Sequence, residues 1–436
     1  MNQKRDKLLS CILVIITISI IIFTYSCTNK KGALKSDGPE KVKVIDLESA
    51  IGTGKIVDLS DVAHEIRYVK LETNDSSLIG RFMSVFYENE RIYVFSRWVL
   101  KVFDKDGKFL FKFDRKGRGP QEYIDVRQIR IMSGTGNIMV QTRSVDTLGK
   151  LIIYDKDGNY SYKIKLPYNN SMNPSKVIEN DDNLFVAVVN PNFNDSIQQT
   201  AFVYDSLFNI INSIPNPSSI ENKTGNNQFI KVSVNGITKN FAIFKSPDLY
   251  RFKDHIRILF YENDNIFSFD ANLNYAPAFH INYGKYRNES SESNSTKSGK
   301  HISQETNYFI ESEENLILQF NLNDYCQEPY EIAHSNKNGT SIFKYRDSYA
   351  LYNKKTGSFT LMNQPAKNML GFREDIKNGP PFLPTSISSD FQACALFTAS
   401  QIIEYAQTND VKGELKEIVK GLKDTDNPIV AIARMK

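Results

Sequence analysis

The chain reads Lys101-Val102-Phe103-Asp104-Lys105-Asp106-Gly107-Lys108 and continues as Phe109-Leu110-Phe111-Lys112-Phe113. The same pattern returns at Leu151-Ile152-Ile153-Tyr154-Asp155-Lys156-Asp157-Gly158-Asn159, which puts the two aromatic-Asp pairs 51 positions apart (154 − 103). After each block, apolar and polar residues alternate, which is typical of a half-buried β-strand. The glycine of each block can adopt the positive φ that tight hairpins need. Each copy therefore predicts two strands joined by a short turn.

Further copies of this block follow along the chain. Each has a short apolar run, then a second run that ends in an aromatic residue and Asp or Asn. Three more copies are clear, and a sixth is expected in residues 384–405. The pairs of runs are 184–186 with 202–205, 257–260 with 266–270, and 315–318 with 349–353.

Repeated sheets of about four strands predict an all-β protein, a β-propeller, because one such sheet cannot bury both of its faces alone. A two-sheet sandwich is the alternative, but it does not require a recurring aromatic-Asp block. One helix is predicted, at 412–423, where Leu415, Ile418, Val419 and Leu422 form an apolar stripe. The apolar run 429–433 reads as a last strand, and 65–71 is its predicted partner. Their pairing would close the ring and remove free sheet edges.

Residues 1–26 have the parts of a secretory signal: a basic start, an apolar run from Leu8 to Phe23, and Thr24-Tyr25-Ser26 before Cys27. The apolar run makes about 24 Å of helix, less than the ~30 Å core of a bilayer. A cleaved signal therefore fits better than a membrane-spanning anchor, which stays the alternative. We predict lipidation at Cys27, a flexible tether over 27–40, and a propeller domain over 41–436.

Charge excludes a dedicated nucleic-acid binder. The net charge is +4, and removing residues 1–26 takes away three basic residues and Asp6, which leaves +2. Nucleic-acid binders carry a concentrated basic face instead. Beyond Cys27 only Cys326 and Cys394 remain, too few for a disulfide framework.

The chain resembles the six-bladed β-propeller lipoproteins of Bacteroidetes, which have NHL-like blades and mostly unassigned functions. The resemblance runs from about Val42 to Lys436. It is carried by the entry segment 58–61 with 68–73, by the block at 103–108, and by Gly117-Arg118-Gly119-Pro120-Gln121-Glu122-Tyr123. The family usually has glycine where Gln121 stands. The resemblance implies six blades. It also implies that the protein is located at the outer membrane, facing either the periplasm or the cell surface.

Six residues are candidates for contact with a ligand. Polar and aromatic side chains are densest near residues 115–123, and a preceding loop adds Arg97 and Trp98. Together they are predicted to line one mouth of the propeller. The alternative for the glycine-rich stretch is a tight connection between strands or blades. The candidates are Arg97, Trp98, Arg115, Arg118, Glu122 and Tyr123.

No cofactor or metal site is predicted. The Asp-Lys-Asp-Gly blocks lack the later carboxylate of a calcium loop, so hairpin turns are favoured. The five histidines have no metal-ligand spacing. We expect a binding module at the cell envelope, held to the membrane by its N-terminal lipid, with a glycan, a peptide or an envelope protein as partner. The alternatives are a lyase or hydrolase with a metal in the central channel and a structural lipoprotein without ligand.

Overall fold

The structure is a computed structural model. It describes residues 41–80, 83–96, 99–142, 149–165, 176–179, 184–189, 200–205, 207, 209–215, 228–234, 237–243, 248–260, 263–270, 274–287, 301–336 and 339–436. Val42–Lys436 form one compact unit. The predicted signal sequence, Cys27 and the tether lie outside the described residues.

The first three blades are four-stranded antiparallel sheets whose strands follow one another in chain order. Blade 1 contains β3 (Met83–Glu88), β4 (Arg91–Ser96), β5 (Val99–Asp104) and β6 (Phe109–Phe113). Blade 2 contains β7 (Val126–Ile131), β8 (Ile138–Thr142), β9 (Lys150–Tyr154) and β10 (Tyr160–Lys165). Blade 3 contains β11 (Lys176–Glu179), β12 (Phe185–Val189), β13 (Thr200–Tyr204) and β14 (Ile210–Pro215).

The other three blades carry additions. Blade 4 contains β17 (Asp248–Phe252), β18 (His255–Leu259), β19 (Asn265–Phe269) and β20 (Tyr275–Asn282), and β1 (Lys43–Asp46) joins β20 in parallel. Blade 5 contains β21 (Ser303–Glu311), β22 (Asn315–Asn321), β25 (Asp347–Asn353) and β26 (Phe359–Leu361). Blade 6 contains β27 (Ser386–Ile387), β28 (Gln392–Phe397), β29 (Ile429–Met435) and β2 (Ala63–Lys70). The predicted six-bladed propeller is confirmed.

The core lies between the blades. The first strands of neighbouring blades contact one another, β11 with β17, β17 with β21, β21 with β27 and β27 with β3. In the described part of the chain, six apolar clusters each fill the space between two neighbouring blades. The cluster between blades 6 and 1 shows the pattern, because it joins Val430 and Ile432 to Val94 and Phe103. Each blade thus buries both faces, which a single sheet cannot do.

The two ends of the domain meet in blade 6. β2 pairs antiparallel with β29, with Tyr68 opposite Ala431 and Lys70 opposite Ile429. The predicted pairing of 65–71 with 429–433 is confirmed. β2 forms the outer strand of the blade that the C-terminal segment builds.

The recurring Asp or Asn caps the turn between the third and fourth strands. Asp104 Oδ1 accepts hydrogen bonds from the backbone N–H of Asp106 at 3.0 Å and of Lys108 at 2.8 Å. Equivalent side chains in blades 2 to 5 make the same kind of bond. A short acidic side chain that bonds the backbone two residues on stabilises a turn. The hairpin interpretation of the Asp-Lys-Asp-Gly blocks is confirmed.

Four α-helices are described: α1 (Leu47–Ala50), α2 (Leu59–Val62), α3 (Ala399–Thr408) and α4 (Gly413–Lys420). α4 confirms the predicted helix, and its Leu415 is fully buried. The sixth copy expected in 384–405 is confirmed by β27 and β28, but the prediction of a single helix was wrong, because α3 begins at Ala399. A capping box starts α3, with Gln401 N–H donating to Thr398 Oγ1 and Thr398 N–H to Gln401 Oε1. In the described ranges, none of these helices is long and apolar enough to cross a bilayer.

Candidate functional site

The connections between strands differ sharply on the two sides of the blades. On one side lie the turns from first to second strand and from third to fourth strand, and these are short, such as 89–90 and 253–254. On the other side lie the connections from second to third strand and from one blade to the next. This second side, here called the insertion side, carries the longest connections: 216–247, 322–346 and 398–428. The side with the short turns is here called the short-turn side.

Each long connection contains its own secondary structure. The connection 216–247 contains the hairpin β15 (Gln228–Val234) with β16 (Ile237–Ile243), and 398–428 contains α3 and α4. The connection 322–346 contains the hairpin β23 (Tyr330–Asn336) with β24 (Gly339–Tyr345). α3 and α4 pack on the core through Ala399, Ile402 and Leu415, whereas most of β24 is exposed, so the insertion side is the candidate functional surface.

The hairpin β23–β24 is exposed along most of β24. Its seven cross-strand pairs run in continuous register from Tyr330–Tyr345 to Asn336–Gly339. The rings of Tyr330 and Tyr345 stack with their centroids 5.3 Å apart. Beyond this stacked pair, Ile342 is 67% exposed and Phe343 is 52% exposed. Sequence reasoning missed this hairpin, although Asn338-Gly339 between two apolar runs is a hairpin signal.

A small pocket lies beside the base of this hairpin. Its lining includes Gly52, Cys326, Glu328, Asp347 and Gln364, and its volume is about 30 Å³. Gln364 ties the pocket wall together, because its N–H donates to Glu328 Oε2 at 2.8 Å and its side-chain amide to the Glu328 carbonyl at 2.7 Å. Burial raises the pKa of the Cys326 thiol. Small-molecule sites usually occupy at least ~300 Å³, so this pocket suits water and not an organic ligand.

The glycine-rich segment is a connection between blades 1 and 2, as the alternative interpretation predicted. Glu122 folds back over it, with its Oε2 accepting from Gly119 N–H at 2.7 Å. Tyr123 is 4% exposed, and its backbone bonds Arg115 and Gly117. The Arg115 guanidinium donates to the Gly158 carbonyl at 2.9 and 3.1 Å and so ties blade 1 to blade 2.

Arg115, Glu122 and Tyr123 are therefore held within this one connection, which also contains Arg118. Arg115, Arg118 and Glu122 are exposed, and burial raises the pKa of Tyr123. Arg115, Glu122 and Tyr123 serve the connection itself. Arg97 and Trp98 lie outside the described residues, and so does Cys27. Contact of the six side chains with a ligand stays a prediction.

A buried charge cluster lies on the short-turn side, between blades 4 and 5. The Glu311 carboxylate is fully buried and accepts from Arg257 Nε and Nη2, both at 3.1 Å, and from Lys354 Nζ at 3.0 Å. The Tyr250 hydroxyl donates to the same carboxylate at 2.8 Å. The Lys354 ammonium lies 3.9 Å from the centroid of the Phe252 ring.

The charges of this cluster shift one another's pKa values. Burial would raise the pKa of Glu311, but Arg257 and Lys354 hold it below its ordinary value. Burial also lowers the pKa of Lys354, and Glu311 opposes that shift. All four polar side chains face one another across two blades, so the cluster joins the blades. Sequence reasoning missed it, because residues 54 to 61 positions from Glu311 carry no local motif.

Nothing in the described residues points to a bound metal. Within these ranges, no three His, Cys, Asp or Glu side chains come close enough together to hold an ion. His255 and His280 instead share hydrogen bonds with Ser268 and Asn265, at 3.2 and 3.0 Å.

Comparison with known proteins supports the fold. The chain is similar to a presumed exported protein from Bacteroides fragilis, with a TM-score of 0.57 and 19% identity over 90% of this chain and 99% of that one. It is also similar to a DUF4221 family member from Bacteroides vulgatus, with a TM-score of 0.42 and 10% identity over 86% and 97% of the two chains. A third similar structure is virginiamycin B lyase from Staphylococcus aureus, with a TM-score of 0.36 and 9% identity over 85% and 99%.

The likeness to the Bacteroides fragilis protein shows the shared fold alone, and the two likenesses with TM-scores below 0.5 carry no argument. No curated protein matches the chain. A family model described as "Domain of unknown function (DUF4934)" matches residues 42–434, which is nearly the whole propeller. The chain therefore belongs to the DUF4934 family.

Proposed function

We propose that this protein is an exported lipoprotein whose propeller binds a partner protein at the cell envelope through its insertion side. The observation that carries the proposal is the asymmetry of the connections. All three long connections with secondary structure of their own, 216–247, 322–346 and 398–428, lie on that side. Binding residues concentrate on loops that a rigid scaffold positions.

Export and anchoring are supported by the N-terminal sequence. The basic start, the apolar run and the lipobox-like residues before Cys27 are typical of a bacterial lipoprotein signal. The similar protein from Bacteroides fragilis is named as an exported protein, which agrees with this assignment. A lipid on Cys27 would hold the propeller at the outer membrane while the domain stays in water.

A protein partner fits the described surface better than a small molecule does. The pocket beside β23–β24 has a volume of only about 30 Å³, whereas Ile342 and Phe343 are exposed on the same hairpin. These two residues are consecutive in β24 and therefore face opposite sides, so each face of the hairpin presents one apolar side chain to a partner. A glycan partner and the channel-metal enzyme lack a comparable observation among the described residues.

Site-specific photo-crosslinking in cells tests the proposal. A photoreactive amino acid would replace Met369 or Glu417, which are exposed on the insertion side, and separately Lys105 or Asp254, which are exposed on the short-turn side. We expect a discrete protein adduct from the first pair and none from the second. Adducts from the short-turn side alone, or from neither side, would contradict the proposal.

The same strains test the anchor. Replacing Cys27 with Ala should move the protein from the membrane fraction to the soluble fraction, since the lipid would be lost. A Cys27→Ala protein that remained in the membrane fraction would contradict the lipid anchor and favour an uncleaved N-terminal helix.

A further inference from the structure

Arg130 carries a positive charge close to the axis of the propeller. It lies on β7, the first strand of blade 2, and stands opposite Met139 in the register of β7 with β8. Met139 belongs to the apolar cluster between blades 2 and 3, so the side chain of Arg130 leaves β7 on the side of blade 3. There its Nη1 donates to the Val177 carbonyl of β11 at 3.4 Å.

The guanidinium of Arg130 reaches the central channel. β7, β11 and β17 are the first strands of blades 2, 3 and 4, and blade 3 separates the other two. The charge of Arg130 nevertheless interacts with Asp248, which lies on β17. A group that meets the first strands of three successive blades must lie in the space that these strands surround. Arg130 is half-buried, so part of it is accessible from the channel.

The charge of Arg130 is poorly compensated. A guanidinium has five N–H donors, but the bond to Val177 is long, and among the described residues no carboxylate forms an ion pair with Arg130. Burial lowers the pKa of Arg130 to about 10, and the charge of Asp248 only partly opposes this shift. Buried cations are usually paired, because leaving water costs free energy. An anion bound in the channel would provide the missing partner.

Gln128 offers a second donor beside Arg130. The two residues are two positions apart with no bulge between them, so their side chains leave β7 on the same face. Within the described part of the chain, Gln128 Oε1 is buried and has no hydrogen-bond partner. The residue as a whole is half-buried, so Nε2 is the end of the amide that is left to bond a ligand. Both side chains therefore offer N–H donors to the same part of the channel.

The chemistry of these donors favours a carboxylate over other anions. The planar guanidinium can donate to both oxygens of a carboxylate at once. The negative charge of Asp248 would repel the more highly charged phosphate more strongly than a singly charged carboxylate. A small carboxylate therefore complements both the donors and the local charge.

We propose that the central channel binds a small carboxylate ligand, with the Arg130 guanidinium on both carboxylate oxygens and the Gln128 amide donating to one of them. The residues of this site lie on an innermost strand and not on the long connections. The inference therefore goes beyond the proposed function and does not depend on it.

Gln128→Glu tests the proposal from within the chain. The change is isosteric and places a carboxylate beside Arg130, where the carboxylate of the ligand is expected. We expect this variant to unfold at a higher temperature than wild type at pH 7, because the buried cation gains a counter-charge. Gln407→Glu is the matched control: it makes the same change of charge at an exposed position of α3 and should have little effect.

Isothermal titration calorimetry measures binding to the purified protein at pH 7 and constant ionic strength. The probes are acetate, its neutral analogue acetamide, and phosphate. We expect acetate to bind in the millimolar range, at least about tenfold more tightly than acetamide, and more tightly than phosphate. Arg130→Gln and Gln128→Glu should each weaken acetate binding by at least about tenfold. Arg434→Gln removes an exposed arginine instead and should change it by less than about twofold.

Several results would overturn the inference. They are equal binding of acetate and acetamide, acetate affinity that Arg130→Gln leaves unchanged, and no saturable binding of acetate up to about 100 mM. Phosphate that bound more tightly than acetate would overturn the assignment to a carboxylate. Gln128→Glu keeps the arginine, so it tests the site even if Arg130→Gln does not fold. A Gln128→Glu protein that bound acetate like wild type and was no more stable would show that Arg130 needs no anion.

Discussion

The Glu311 carboxylate organises the contact between blades 4 and 5. It is fully buried and accepts hydrogen bonds from Arg257, Lys354 and Tyr250. Removing one partner of a buried ion pair leaves an uncompensated charge in a medium of low polarity, which costs far more than losing an exposed pair. The Glu311 carboxylate balances both Arg257 and Lys354, so replacing it leaves two buried cations without their counter-charge.

Glu311→Gln should therefore lower the free energy of unfolding at pH 7 by about 3–5 kcal/mol. The pKa of Glu311 is lowered in the folded protein, so the stabilisation is present above its ordinary pKa of 4.5 and is lost as the pH falls through the folded value. The difference in unfolding free energy between wild type and variant should be present at pH 6 and shrink below about pH 4.5. Urea unfolding across this range measures it.

Glu65→Gln is the matched control for this prediction. Glu65 pairs with Arg434 at 2.9 Å, but their side chains are 65% and 50% exposed. Water screens such a pair, so its loss should cost at most ~1 kcal/mol. Equal losses in the two variants would show that Glu311 does not balance the buried cations.

At the scale of the element, the recurring turn joins one blade to the next as well as reversing the chain. Gly107 has φ +87°, and its carbonyl accepts from Glu72 N–H at 2.8 Å, at the end of β2 in blade 6. The side chain of Glu72 in turn accepts from Phe109 N–H at 2.9 Å. The glycine is required twice, for its positive φ and for the close approach of blade 6.

Gly107→Ala should therefore be more destabilising than Gly134→Ala. Both glycines have similar positive φ, +87° and +83°, which costs an alanine about 1–2 kcal/mol. A Cβ on Gly107 would also lie 2.3 Å from the Lys70 carbonyl oxygen, whereas a Cβ on Gly134 meets no atom within 4 Å. Urea unfolding should show a greater loss of unfolding free energy for Gly107→Ala than for Gly134→Ala. Equal losses would mean that backbone conformation alone requires the glycine.

The sequence predicts elements well where local pattern and tertiary role agree. The blocks at 101–108 and 151–159 became hairpins because alternation, a capping Asp and a positive-φ glycine all favour the same turn. The apolar residues of 384–405 suggested strands throughout. A capping box at Thr398 instead begins helix α3 within that range. The hairpin β23–β24 and the Glu311 cluster were missed, because the first interrupts a repeat and the second joins distant residues.

At the scale of the whole molecule, the ring depends on one blade that both ends of the domain build. In blade 6, β29 lies between β2 and β28 and pairs with both. The clusters on its two sides fill the spaces between blades 5 and 6 and between blades 6 and 1. β1, in contrast, lies at the edge of blade 4 and, among the described strands, pairs with β20 alone.

A chain that ends at Pro428 should therefore lose the closed fold, although it lacks only residues 429–436. Without β29, two ladders break and two inter-blade clusters open, so the remaining blades have free edges and exposed apolar faces. We expect no cooperative thermal transition and rapid proteolysis. A chain without residues 41–46 loses β1 alone and should unfold cooperatively at a somewhat lower temperature. If the chain ending at Pro428 kept a cooperative transition near that of wild type, the ring would not require closure by β29, and the stability of the propeller would arise blade by blade.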